Sequence, residues 1–297
     1  MIAHRDRRTD GLRWGFESIC RVLQISPSTV RSAIARPVCA RKIHDAVLKA
    51  WIKKIFDDNY QVDGIRKIRA VLAREGIFVA KNRVGRLMRE LNIRGVVRGR
   101  RVFTTKPGPA HVRAADLVKR DFTAAGPNRL WVMDFTYVAT RAGMVYVAFV
   151  IDVYSRMIVG WHLSTNMRTE LVMHAFEQAV WRRDTLLDWL VAHSDAGSQY
   201  TSIRFTERLE EIGVRPSIGT IGDSYDNAMA ETTIGLYKTE LVWQQGPWRS
   251  VEELELATLM HVEWFNNHRL HGELDHHTPA EYEKIHYLKH QPQTAAL

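Results

Sequence analysis

Cysteine is nearly missing: Cys20 and Cys39 are the only two in 297 residues. Two thiols build neither a disulfide framework nor a four-thiolate zinc site. His4 and His44 flank them, but the spacing matches no familiar Cys/His metal pattern. Long apolar runs are missing too. The longest, MVYVAFVI from Met144 to Ile151, has eight residues, against the roughly 20 that a spanning helix needs. The opening MIAHRDRRTDGLRWG carries charge but no apolar stretch and no small-residue cleavage site, which argues against a secretory signal. No internal repeat or low-complexity segment stands out. These absences point to a reducing cytoplasm and no membrane partner.

Acidic residues are scarce in one half of the chain. Residues 1–125 hold 28 Lys and Arg against 11 Asp and Glu, a net +17. The remainder holds 14 basic and 22 acidic residues, a net −8. A basic front on a mildly acidic back suggests a polyanion partner, most simply nucleic acid held through its phosphates. Hydrophobic residues make up 45% of the chain and charged ones 25%, which is ordinary for a globular protein with a sizeable core.

The front reads as helical. FESICRVLQISPSTVRSAIAR spaces Phe16, Ile19, Cys20 and Leu23 as one helix face, then breaks at Ser26-Pro27. Ser before Pro is an N-cap followed by the first helical position. A brief helix-turn-helix and an ordinary helical hairpin both fit residues 1–40. Residues 41–96 form a second helical, basic block with a turn at Glu75-Gly76. In AKNRVGRLMRELNI the apolar stripe is Val84, Leu87, Met88 and Leu91, with Arg83, Arg86, Arg89 and Arg94 around it. Such a helix either docks on DNA or simply faces solvent. Residues 97–123, including Arg100 and Arg101, are rich in Arg, Gly and Pro without a period and read as a basic linker or arm along a phosphate backbone.

The back changes period. RLWVMDFTYVAT alternates as a strand, with Trp131, Met133, Phe135 and Tyr137 on one face and Val132, Asp134 and Thr136 on the other. MVYVAFVIDVYS and RMIVGWHLS continue as strands joined by short turns. The order onward is helix, strand, helix, strand, helix. The expected fold is α/β, a mixed five-stranded sheet with helices over 124–245, followed by a helical extension over 246–297.

Asp134 stands mid-strand, where a carboxylate is costly unless paired or bound to a cation. Asp195 ends the fourth strand, where sites gather in open α/β sheets. Glu231 lies on the helix after the fifth strand. Between the acids lie 60 and 35 residues. Three carboxylates around one cavity need compensating charge, which Mg²⁺ supplies through oxygen ligands. Two such ions about 4 Å apart clamp the attacking and leaving oxygens of a phosphodiester displacement.

Asp134, Asp195 and Glu231, at this spacing, resemble the acids of DDE transposases and retroviral integrases. WVMDFTYV, IDVYSRMIVGW, HSDAGSQYTS, GDSYDNAMAE and FNNHRLHGELDHHTPAEY together resemble the second-frame (OrfB) transposase of the bacterial insertion-sequence-three family. The chain departs from that pattern at Ala196, in VDGIRKI and at Phe265, none of them among the three acids. The resemblance implies an RNase H-like core using Mg²⁺ or Mn²⁺, two ions. It implies cleavage at element ends and attack of the freed 3′-hydroxyl on target DNA, in the bacterial cytoplasm. Implied partners are the terminal inverted repeats, target DNA, further copies of this chain (at least a dimer) and the upstream-frame OrfA protein, free or as a fusion. A non-catalytic DNA-binding regulator, a partial product needing that partner, and a simpler RNase H-type nuclease are the alternatives.

Lys238 follows Glu231 by seven residues and returns to nearly the same helix face at about 100° per residue, where it suits a DNA phosphate. Asn227, four residues before Glu231, shares that face. Ser198, Gln199 and Tyr200 sit beside Asp195 and suit either the DNA strand or a plain turn. Asp152 reads as structural. Asp223 belongs to a turn and Asp226 to the helix N-terminus. Among the C-terminal residues His261, His268, His271, His276 and His277 no spacing matches a zinc box. Asn267, Arg269 and His271 either organise the tail or touch DNA.

Overall fold

A computed structural model describes residues 4, 6–36, 38–97, 116–118, 121–183, 187–195, 199–200, 202–219 and 227–290. Arg100, Arg101, Ser198, Asp223 and Asp226 therefore lie outside the described residues. The chain divides into two compact units, Met1–Trp51 and Ile52–Leu297.

The first unit opens with a two-stranded antiparallel hairpin, β1 (Arg8–Thr9) and β2 (Leu12–Arg13). Helices α1 (Phe16–Val22) and α2 (Pro27–Ala35) follow. Pro27 takes the first position of α2, as expected. Ser26 precedes it without a side-chain cap bond, because its hydroxyl pairs with that of Ser28 at 2.6 Å. Helix α3 (Ala40–Asp58) runs across the division between the units.

The second unit holds α4 (Ile65–Arg74) and α5 (Lys81–Glu90). Their apolar stripes, Ile68 and Leu72 on one and Val84, Leu87 and Met88 on the other, are buried. Val62, between α3 and α4, belongs to the same buried cluster as the sheet. The helical block thus packs as part of this unit.

The sheet contains β3 (Leu130–Thr140), β4 (Gly143–Asp152), β5 (Ile158–Ser164), β6 (Val191–Ser194) and β7 (Arg215–Ile218). Its order is β5-β4-β3-β6-β7, antiparallel among the first three and parallel from β3 to β7. This is the mixed five-stranded sheet that the sequence reading expects. Helices α6 (Thr169–Arg183) and α7 (Ile203–Glu211) accompany one core cluster, with Trp131, Met133, Ala148 and Val150. Helix α8 (Ala228–Tyr237) covers the other face, with Val132, Val147, Phe149 and Ile151. Alternate residues of β3 and β4 enter opposite clusters, as the two-residue strand period requires. Gly160 lets β5 and α6 meet: a Cβ there would lie 2.1 Å from the Ala175 carbonyl oxygen, so every other residue type forces the layers apart.

Helix α8 continues through a π-helical turn (Lys238–Val242) into α9 (Trp243–Gln245). Helix α10 (Val251–Asn267) starts at Ser250, whose hydroxyl accepts the Glu253 amide. Its Leu254, Val262, Trp264 and Phe265 complete the core on the α8 side. A 3-10 turn (Gly272–Leu274) leads to α11 (Pro279–His290). Glu283 of α11 is buried in a bidentate pair with Arg183 (2.6 and 2.7 Å) and accepts the Ser155 hydroxyl at 2.6 Å. Asp152 accepts the Asn128 and Ser155 amides at 2.7 and 3.0 Å. Asp152 is thus a buried anchor, in keeping with its structural reading. No helix among the described residues is long and apolar enough to cross a membrane.

Candidate active site

Asp134 lies in the middle of β3, on the face it shares with Val132 and opposite Phe149 of β4. On its other side β3 pairs in parallel with β6, and the last rung joins Met133 to Ser194. Asp195 follows Ser194 directly. Each acid therefore stands one residue past the same rung. Neighbouring strands lie about 4.8 Å apart, and residues in register share a face, so the two carboxylates converge.

Their proximity has an electrostatic consequence. Loss of hydration, with the negative charge of Asp195 added, pushes the Asp134 carboxyl up to about 8. The Phe135 amide, donating to Oδ1 at 2.8 Å, and the Lys238 ammonium pull in the opposite direction. Two carboxylates held this way do not both ionise without a neighbouring cation.

Glu231 lies in the first turn of α8, and its amide donates to the Asn227 carbonyl at 3.1 Å. The Asn227 side chain donates to the Met133 carbonyl at 2.9 Å. This bond pins the start of α8 to the residue before Asp134. Lys238 opens the π-helical turn, a feature common near functional sites. Its Nζ sits 4.9 Å from the ring centre of Tyr137. Burial lowers the Lys238 ammonium, and the charge of Asp134 opposes that lowering. Tyr137 was not anticipated at the site; strand alternation puts it on the face opposite Asp134, and nothing in the sequence signals that Lys238 reaches it.

A hard divalent cation takes carboxylate oxygens and would neutralise the Asp134–Asp195 pair, so these donors fit one. Among the described residues no group of three or more His, Cys, Asp or Glu side chains is poised to hold a metal ion. The fit therefore rests on the two aspartates.

Several expected DNA contacts have other roles. Arg269 is buried, and its guanidinium clasps Glu240 at 2.6 and 2.7 Å. A guanidinium with a buried carboxylate partner is not offered to a phosphate, so Arg269 organises the tail. Asn227 is buried on Met133. Gln199 is buried with its amide toward the Met167 carbonyl at 3.5 Å. Tyr200 packs between Phe135 and Phe205 in the core. In each case the polar residue type suggested a surface contact, but a buried carboxylate, a backbone carbonyl or an aromatic layer claims it. Arg83 is half-buried, and Arg86 pairs with Glu90 one turn on along α5.

Comparisons with known proteins identify the family. Residues 124–224 match the family described as Integrase core domain, and residues 231–286 match a second family of that description. Residues 42–101 match an HTH-like domain. A Mycobacterium tuberculosis protein assigned to insertion sequence element IS986/IS6110 as its transposase is 49% identical, over 91% of this chain and 98% of its own length. The transposase for insertion sequence element IS629 of Shigella sonnei is 46% identical over 93% of each chain. Among solved structures, the magnesium-bound catalytic core domain of the HTLV-2 integrase covers 54% of this chain and 99% of its own, with a TM-score of 0.44 and 17% identity. By the length and level of these matches, the chain belongs to the insertion-sequence-three family of transposases, polynucleotidyl transferases built on an integrase core.

Proposed function

We propose that this chain cuts the ends of its insertion element in a reaction that depends on divalent metal and joins the freed 3′-hydroxyl to target DNA, with Asp134, Asp195 and Glu231 as the catalytic acids. The observation that carries the reading is the convergence of Asp134 and Asp195 past one rung of a parallel ladder, each in the other's field. In the first step a water oxygen bonds to phosphorus and the 3′-oxygen of the element end leaves, taking a proton to become a hydroxyl. In the second, that hydroxyl oxygen attacks a target phosphodiester, and the target's own 3′-oxygen leaves as a hydroxyl. One new phosphodiester replaces the one broken.

The aspartates would hold Mg²⁺ or Mn²⁺, two ions, with Glu231 as a third carboxylate. When bound, such ions activate the attacking oxygen and stabilise charge on the leaving one. Asn227 keeps α8, and so Glu231, against β3. Lys238 offers its ammonium to a nonbridging phosphate oxygen beside Asp134. The HTH-like region and the basic linker would hold the terminal repeats. Joining two ends to one target calls for at least two copies of the chain, with the upstream-frame protein as a further partner.

The test is nicking of labelled element-end DNA with and without divalent metal, by the wild type and by Asp134→Asn. Metal-dependent nicking that the variant loses supports the reading. Nicking without metal, or full activity in the variant, would overturn it. A wild type that binds DNA but never cuts in any divalent metal would be a regulator or a partial product instead.

A further inference from the structure

A cleft of about 380 Å³ opens between α4 and the turn before α11, lined by Arg66, Arg69, Ala70, Ala73, Arg74 and the segment Asp275–His277. The five α4 residues span about 140° of that helix at 100° per residue, opposite the buried Ile68 and Leu72. The two alanines keep the floor low between arginine walls. Arg66 and Arg69 make no ion pair and no hydrogen bond with any described residue.

The far wall is held in place. Arg74 grips Glu281 with two bonds of 2.9 and 2.7 Å and donates to the His276 carbonyl at 2.8 Å. Glu281 also accepts the Thr278 amide at 2.9 Å, while its own amide donates to the Thr278 hydroxyl at 3.2 Å, a capping box at the start of α11. Asp275 and His276 both adopt left-handed backbone, φ 51° and 60°, which side chains other than glycine adopt at a cost. Strain at two successive residues persists where the surroundings impose it, and here the His271 carbonyl, which accepts the His276 amide at 2.9 Å, and Arg74 on the His276 carbonyl do so. Nδ1 of His276 is buried with no hydrogen-bond partner among the described residues. The one carboxylate in the lining outside the Arg74 pair is Asp275, against two uncommitted guanidiniums.

We propose that this cleft seats a phosphodiester of the DNA backbone, gripped by Arg66 and Arg69 and bounded by the Asp275–His277 turn. The proposal rests on the transposase reading above for the identity of the polyanion. It goes further in giving the Asp275–Glu281 segment of the tail a place at the DNA. One wall comes from the HTH-like region and the other from the C-terminal integrase-core match, so a phosphate held there would tie end recognition to the catalytic part of the chain.

The experiment measures affinity of the full chain for a labelled duplex carrying the element's end, across a range of salt. Arg66→Ala/Arg69→Ala is expected to weaken binding by about tenfold or more and to reduce the salt slope by about 1, as loss of the one neutralised phosphate predicts. Ala73→Leu keeps the charge, suits a helix and fills the floor of the cleft. It is expected to weaken binding as well, with thermal stability unchanged. If the double variant keeps wild-type affinity and slope, the proposal is overturned. If the double variant weakens binding and Ala73→Leu does not, the arginines attract DNA from the open surface and the cleft assignment is overturned. Asp134→Asn serves as the third arm. Its loss of nicking alongside intact cleft variants would leave the catalytic reading standing without the cleft, and its retention of nicking would remove that reading whatever the binding data show.

Discussion

Met133 and Ser194 form the last rung of the parallel ladder between β3 and β6, and the next residue along the chain from each is a catalytic candidate, Asp134 within β3 and Asp195 just past β6. Neutralising one acid has a stability consequence as well as a chemical one. The folded, metal-free chain keeps a proton on Asp134 up to about pH 8, whereas an unfolded chain releases it near pH 4. Stability contributed by the protonated form is therefore fully present below about pH 4 and is lost as pH rises toward 8. Asp134→Asn removes that loss. In chelator at pH 8 the variant is expected to outlast the wild type by on the order of a few kcal/mol, with the gap closing at pH 4. Adding Mg²⁺ should raise the wild-type melting temperature and leave the variant's unchanged. Thermal scans at the two pH values, with and without metal, check both points.

Asn227 acts on catalysis through position. Asn227→Ala removes the bond to Met133 and should cost about 1 kcal/mol of stability. Nicking should slow by about tenfold or more, since a shift of α8 misplaces Glu231. DNA affinity should stay within experimental error. A matching loss of affinity would mean that Asn227 touches DNA after all.

Arg269 separates structure from DNA binding. Arg269→Ala leaves Glu240 buried without its partner, a change that costs about 3 to 5 kcal/mol. Arg269→Met/Glu240→Leu removes both charges and should recover most of that. Denaturant melts check the order of the three proteins. The salt slope of DNA binding in the double variant should equal that of the wild type.

Acid should loosen the C-terminal layer. His261 sits among Tyr60, Tyr237, Trp264 and Phe265, and neither of its ring nitrogens finds a hydrogen-bond partner among the described residues. Burial lowers its imidazole to about 4, and burial beside Arg269 lowers His271 to about 2. Both stay neutral in the fold while an unfolded chain protonates them below about pH 6.5. Stability therefore falls as pH drops from 6.5, each histidine adding up to about 1.4 kcal/mol per pH unit. The His261 contribution levels off below about pH 4. His261→Leu should lower the slope between pH 6 and 4 by about one proton, read from urea melts.

Element order and acid spacing were legible because alternation and spacing are local. Trp131 through Tyr137 alternates faces along β3, and Asp134 is the one charge on that strand. Strand ends were less legible. LDWLVAHSD reads as one strand from Leu187, but Trp189 takes a positive φ of 76° and the Leu190 amide turns back to the Leu187 carbonyl, so β6 starts at Val191. Arg269, Gln199 and Asn227 misled for a different reason. Their partners Glu240, Met167 and Met133 lie 29, 32 and 94 residues away, beyond any helical or strand period. Helix α11 hides its purpose similarly: nothing local to Glu283 signals Arg183, 100 residues earlier, which clasps it.

The parallel register between β3 and β6 also sets what may vary over generations. The acids stay side by side however long the intervening chain grows, since four rungs, Leu130–Val191 to Met133–Ser194, hold them and the connecting length does not. An insertion after α6, near residue 185, leaves their spacing alone. Deleting a single residue within Val191–Ser194 would turn Asp195 to the opposite side of the sheet. Length between the acids is free to drift, while phase within one four-residue strand is not.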